Sequence, residues 1–519
     1  MTGRPNRRKF LGAALTGAGI VGAGTLSVSW LVTGGTTLGS ELTSTARLPE
    51  PFGQALAIPG VLAPTRSDAT TDYYAITQQV ADVQILPGYS TRIWGYNGTF
   101  PGPTLQSSSA RRTVVTHRNH LPVPVVVHLH GGHVPYDSDG FPTDYLLPAQ
   151  WASAHTSHDA AGQVMRGQRD YDYPVGQPAA TLWYHDHRMD FTGASVWKGL
   201  AGFHLINDDA ERALNLPSGA RDIPLMLTDR AFAADGALIY PGIDPSMTST
   251  PGVTAEFTQG VLGDVILVNG VPWPTHRVTT ARYRLRWLNA SNARVYRLRI
   301  ESKAAAAEYF TQIGSDGGLL AHPQVLTAID IAPGERFDTI LDFTECALGD
   351  LVTIHNDLGT GRTGEIMRFI IADRSADTSH VPDTLADIEL HDPKTAVRTR
   401  HFDFRRGDMG DMRGWLINGL PFDAQRPAAD PRLGDLEIWR FSTDFNHPVH
   451  VHLNQFQVLS RNRRPPRPSD AGWKDTVNLA AREVAEVAVK FTDYPGRFVM
   501  HCHTLEHEDM AMMATFATR

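Results

Sequence analysis

Cysteine is nearly absent: 519 residues carry two, Cys346 and Cys502. A disulfide framework is thereby excluded, and a buried core must hold the fold. Charge of one sign is also lacking. The formal net charge is −8, with charged residues spread along the chain rather than gathered into runs. Such a balance gives no basic surface for nucleic acid. Long helical patterns are scarce too, because 46 glycines, 34 prolines and many valine-, threonine- and aromatic-rich stretches favour short strands and frequent turns. The length exceeds one ordinary core, so two or three domains of ~150 residues each are expected.

The first forty residues differ from the rest. "RPNRRKFLGAALTGAGIVGAG" places Arg7 and Arg8 before Phe10 and Leu11 and a weakly apolar stretch rich in glycine and alanine. That order reads as a signal for the twin-arginine export machinery. The stretch to Val32 is long enough to span a bilayer, so a membrane anchor is the alternative. Its glycines and the following "SELTSTARLPEP" favour cleavage near Ala46, giving a 1–46 signal, no permanent membrane anchor and a periplasmic or extracellular product.

Beyond it, segments such as "RTVVTHRNHLPVPVVVHLHGG", "ARYRLRWLNAS", "LEIWRFST" and "HPVHVHLNQFQVLS" alternate or run apolar between Gly, Pro, Asn and Asp. The expected fold class is all-β, built of antiparallel sandwiches or barrels. "GLAGFHLIND", "GEIMRFIIAD" and "DMAMMATFAT" each read as a closing strand. They divide the chain near 210 and 390, into 47–210, 211–390 and 391–519, with a polar linker-like stretch before the last division.

Histidine carries the chemistry. Ten of the 22 fall into four clusters: His128 and His130; His185 and His187; His447, His450 and His452; His501, His503 and His507. Side chains alternate faces along a strand, so His-x-His sets two imidazoles side by side at metal-binding reach. One such pair is often a polar strand face; four are hard to produce by chance. In "HCH", His501 and His503 face one way and Cys502 the other, so adjacent residues would serve two different metal centres. A thiolate, two imidazoles and a distant thioether make a blue-copper site. His507 and Met512 lie just past Cys502 and His447 can supply the second imidazole. Structural zinc closes at four ligands and would leave most of the histidines unexplained. A Cys346–Cys502 disulfide is disfavoured by this reading, which leaves Cys346 a buried or idle thiol.

"VHLHGG", "LWYHDHRMD", "HPVHVHLNQFQVLSR" and "HCHTLEHEDMAMM" resemble, in order and spacing, the four copper motifs of the multicopper oxidases. "HLHGGHVPYDSDGFPTDY" and "WKDTV...GRFVMHCHTLEHED" look most like the branch holding spore-coat laccase, phenoxazinone synthase and bilirubin oxidase. The resemblance implies three consecutive cupredoxin-like Greek-key domains and four copper ions. It assigns His447, Cys502 and His507 with axial Met512 to a type 1 copper, and His128 and His450 to a type 2 copper. The two type 3 coppers would take His130, His185 and His503 on one ion and His187, His452 and His501 on the other. It further implies that a small reducing substrate gives single electrons at the exposed edge of His447 or His507. Cys502 carries them on, and four electrons turn dioxygen into two waters. Asp139 and Glu508 match acids used as proton relays, against the plainer reading of a turn aspartate and a surface glutamate.

Phenols, aminophenols and bilirubin-like tetrapyrroles are the expected reductants. A cuprous or ferrous metal oxidase is the alternative, although such enzymes often carry methionine-rich insertions and this chain has 12 Met and nothing denser than "GDMGDMRG" outside the motifs. A copper-free structural protein of the same fold is opposed by the intact ligand set. Copper nitrite reductases use a smaller one.

Overall fold

The computed structural model describes residues 39–151, 162–409 and 412–519. Arg7 and Arg8 of the export signal lie outside the described residues, as do Gly410 and Asp411 of "GDMGDMRG".

The alternating segments form strands, and the strands form three successive pairs of sheets. In the first pair, Thr71–Val83 runs parallel to Arg112–Asn119 and antiparallel to Thr91–Tyr96. Facing it, Ala201–Asn207 joins Ala180–Asp186 to Gly102–Ser108. The second pair has seven and five strands, and the third has two sheets of five. Strands distant in sequence pair in parallel in each, as Asp222–Arg230 does with Arg282–Asn289 and Arg398–Met409 with Leu436–Thr443. These crossings, among otherwise antiparallel neighbours, are the Greek-key wiring of cupredoxin-like barrels. The described helices are few and short, the longest being Thr192–Lys198.

Each pair of sheets encloses its own core. Ile76, Val115 and Tyr184 are buried in the first; Leu227, Trp287 and Phe369 in the second; Phe441, Val487 and Phe516 in the third. Alternation puts these residues inward, and each buried side chain of this size contributes roughly 1.5–3 kcal/mol. Cys346 belongs to the second core, and both cysteines are free thiols.

Residues Ser40–Leu42 form a strand parallel to Val261–Gly263. Nearby, the Ser44 N–H donates to Asp264 and Ala46 is buried in the second core. The expected signal boundary near Ala46 therefore falls inside packed chain, and a cut there would strip a paired strand from its sheet. Among the described residues no helix is long and apolar enough to cross a membrane.

Candidate metal centres

The four histidine motifs are brought together by strand register. Val127–His130 pairs antiparallel with Ala180–Asp186, which sets His128 opposite His185. His447–Val451 pairs with Gly496–Cys502, which sets His450 opposite His501. Where the first and third modules meet, the two halves interlock: the ring of His128 stacks on His452 at 3.8 Å and that of His130 on His450 at 3.7 Å. His501 Nε2 lies 3.2 Å from both His187 Nε2 and His452 Nε2. His503 completes the group, its ring 5.0 Å from that of His130. All eight imidazoles are buried.

Their outer nitrogens are anchored. The Nδ1 of His128 lies 2.5 Å from the Asp139 carbonyl, that of His185 2.8 Å from the Asp186 carbonyl, and that of His450 2.9 Å from the Asp475 carbonyl. These contacts assign the proton to Nδ1 and leave Nε2 as an inward lone pair. The inward Nε2 atoms of His128, His185 and His450, Nδ1 of His130 and both nitrogens of His503 have no hydrogen-bond partner. Buried polar atoms are nearly always paired, so this convergence of unpartnered nitrogens is what a metal cluster requires. Burial keeps His128, His130, His450, His452 and His503 neutral, and it pushes the His185 pKa down to about 3 and that of His187 to about 4. Neutral imidazole is the ligand form.

Asp139 and Glu508 stand directly behind this group. Asp139 ends the short helix Tyr136–Asp139 and its Oδ2 lies 2.7 Å from His452 Nδ1. Glu508 Oε2 lies 3.1 Å from His501 Nδ1 and its Oε1 3.4 Å from His187 Nδ1. Both acids are buried, so Glu508 is not a surface glutamate, while Asp139 closes a buried turn against His452. Their environments differ. Burial and the neighbouring Asp144 hold the Asp139 carboxyl well above the usual range. Burial pushes Glu508 the same way, but His187 and His501 outweigh it and lower its pKa.

On the opposite face of the Gly496–Cys502 strand, the Cys502 sulfur lies 3.3 Å from His447 Nδ1 and 3.5 Å from His507 Nδ1, with the two nitrogens 3.2 Å apart. Backbone bonds fold the next turn over it: Cys502 N–H donates to the Met512 carbonyl and Met512 N–H to that of His507. Met512 is fully buried in the same core cluster as Cys502. Met513 packs in a different cluster, with Phe141 and Val499, and Met510 is only partly buried. Burial raises the Cys502 thiol to about 12, so a thiolate there needs a cation. A buried thiol between two neutral imidazoles fits a copper of the blue type.

One expectation fails. Neither His447 nor His507 has an exposed edge, since both are 0 % accessible. Trp415, on the hairpin formed by Arg398–Met409 and Met412–Ile417, stacks on the His507 ring at 3.7 Å. Its indole N–H donates to the Thr258 carbonyl of the second module. His447 Nε2 is held by Asp444 at 3.1 Å. The cover comes from segments remote in sequence, so motif spacing does not reveal it.

The sequence reading also missed the brace under the histidine group. Asp475 Oδ1 lies 3.1 Å from His130 Nε2, and both its oxygens are gripped by Arg336 of the second module, at 2.7 and 2.5 Å. Gly334 sits beside them with φ +86°, where a Cβ would fall 2.9 Å from the His503 ring and 3.1 Å from that of His130. Asp475 belongs to "WKDTV", so a signal for it was present.

Three cupredoxin-like barrels with a cysteine–imidazole site and a histidine cluster between the outer two define a copper oxidase. Sequence profiles of the multicopper oxidase family match residues 77–211 and 391–519. The chain is 36% identical over 520 aligned residues to a laccase of Bacillus subtilis, covering 89% of this chain and 98% of that one. It is 36% identical over 470 residues to a bilirubin oxidase of Albifimbria verrucaria, covering 86% of this chain and 76% of that one. The crystal structure of a laccase from Pediococcus acidilactici superimposes with a TM-score of 0.78 at 32% identity, covering 92% of this chain and 96% of that one. The chain belongs to the multicopper oxidases and is a copper-dependent oxidase.

Proposed function

We propose that the protein is a laccase-type oxidase that takes single electrons from phenolic or aminophenolic compounds and reduces dioxygen to water. The observation that carries this reading is the division of eleven donors into two sets that meet the Val499–His503 segment from opposite faces. His447, Cys502 and His507 with Met512 would hold a type 1 copper. His128 and His450 would hold the type 2 ion. His130, His185 and His503, and His187, His452 and His501, would hold the type 3 pair. Bound there, four coppers would supply one-electron acceptance at the cysteine and four-electron reduction of dioxygen among the histidines.

The chain's own residues do the rest. Cys502 is covalently joined to His501 and His503, so its sulfur and their rings are coupled through a few bonds. Carbonyls and carboxylates behind the imidazoles fix which nitrogen carries the proton. Asp139, whose carboxyl keeps its proton, is placed to release it inward as a general acid, and Glu508, held ionised by His187 and His501, is placed to accept a proton and pass it on. Module divisions are placed near 210 and 390, and the strand-free stretch at 374–397 supports the second.

Purified protein loaded with copper is expected to bind four ions and be blue, with oxygen uptake on phenols exceeding that on cuprous or ferrous ions. Zinc alone, or no metal after copper supplementation, defeats the reading. Export by the twin-arginine route is part of the proposal, with the cut placed before Ser40 so that the Ser40–Leu42 strand stays in its sheet. Arg7→Lys together with Arg8→Lys should abolish export, and N-terminal sequencing of secreted protein locates the cut.

A further inference from the structure

With His447 and His507 sealed from solvent, a reductant must dock beside the wall that covers them. A pocket of about 170 Å³ lies there, between the Thr192–Lys198 helix, the 238–252 loop and Asp509. Its lining reaches toward the buried imidazole through Gly252, Met510 and Trp415. Gly252 at the pocket comes so near Met510 that a Cβ would lie 3.6 Å from the Met510 Cγ. The Met510 carbonyl accepts the Trp415 backbone N–H at 3.3 Å, and the Trp415 ring stacks on His507.

The pocket has two unlike ends. Phe191, Ala194 and Lys198 follow helical spacing and share one face. At the N-terminal end the Asp509 carboxylate accepts the N–H groups of Thr192 and Gly193 at 2.7 and 2.8 Å, with Asp190 beside it. At the other end, on the order of 10 Å away for seven helical residues, stands Lys198. Phe191, Tyr240 and Met247 add apolar lining, and Asp244, its oxygens taken up by Ser246, Thr248 and Ser249, is a third acid on the rim. The Lys198 ammonium is partly buried and lies 5.1 Å from the Trp94 ring, and among the described residues it forms no ion pair. Burial lowers its pKa, and no carboxylate offsets the effect. The acids at the far end therefore do not neutralise it, and a partly desolvated ammonium on a pocket-lining lysine calls for an anion.

We infer that this pocket is the reductant site and that it selects single-ring phenols bearing a carboxylate, with the carboxylate on Lys198 and the hydroxyl toward Asp509. The volume is well below the ~300–1,000 Å³ of sites for larger ligands, which limits the occupant to one ring. Asp509 lies two residues from His507, so this orientation puts the oxidised end nearest the electron acceptor. Each of four phenols loses one electron and its hydroxyl proton, and one dioxygen takes up the four electrons and four protons to give two waters. The inference rests on the oxidase reading above.

The test uses copper-loaded full chain with Lys198→Gln and Lys198→Arg. Calorimetric titration with para-anisate, whose hydroxyl is methylated, reads binding apart from turnover. Wild type should bind one equivalent, Lys198→Gln about tenfold more weakly, and Lys198→Arg within about threefold of wild type, tenfold being the loss of one modest charge-assisted contact. In steady state, the kcat/KM ratio of syringate to syringol, its counterpart without the carboxylate, should fall about tenfold in Lys198→Gln through KM and be restored by Lys198→Arg. Anisate binding and a syringate preference that both ignore the loss of the ammonium overturn the inference. Failure of every phenol to drive oxygen uptake would instead overturn the oxidase reading, and anisate binding would still judge the pocket.

Discussion

The two faces of the segment from Val499 to His503 differ in how their sites are built. The Cys502 site is local: His447, Cys502, His507 and Met512 all belong to the third module and share its core. The eight-histidine pocket exists only where two modules dock, four imidazoles coming from each, and the second module braces it through Arg336 and Gly334. One site thus depends on a single barrel's folding. The other depends on an interface, and adjacent residues connect the two.

The comparison predicts separable losses. The largest effect is expected for Cys502→Ser, which removes the thiolate; a hydroxyl is a harder, weaker ligand without the intense charge-transfer band. Absorption spectra should lose the blue band while metal analysis still finds about three coppers by ligand count, and phenol oxidation should fall by roughly a thousandfold or more, since one-electron entry and transfer use this site. A variant that stays blue would sink the two-faced assignment. Arg336→Met acts from the other side, stranding the buried Asp475 carboxylate. Breaking such a pair costs about 3–5 kcal/mol, so thermal unfolding should begin lower and the histidine pocket should lose metal while the blue band persists. If the blue band goes first, the sites are not independently built.

Asp139→Asn is gentler, because an amide oxygen can still accept from His452 but the group no longer carries an exchangeable acid proton. Colour should be kept and oxygen reduction slowed by about 10- to 100-fold, as for other groups behind metal ligands. Turnover unchanged across pH would reduce Asp139 to an orienting residue. The smallest effect is expected for Cys346→Ser in the second module's core, at about 1 kcal/mol of stability, with colour and turnover near wild type. Bleaching by this substitution would reverse the roles given to the two thiols.

The all-β class, the histidine clusters and the two-faced "HCH" were legible because strand periodicity acts over a few residues, and a period of two puts His501 and His503 on one side whatever the rest of the chain does. Periodicity left Met510, Met512 and Met513 all within reach of Cys502, and the choice of Met512 rested on the family resemblance. Periodicity does not say what docks against what. Only the tertiary structure set Trp415 over His507, Arg336 on Asp475 and Lys198 across a pocket from Asp509, because these contacts join segments separated by dozens to hundreds of residues and are fixed by how the barrels pack. It also moved Ser40–Leu42 from the expected signal into the fold, since a three-residue strand is recognised by the edge it pairs with, Val261–Gly263, and not by its own composition.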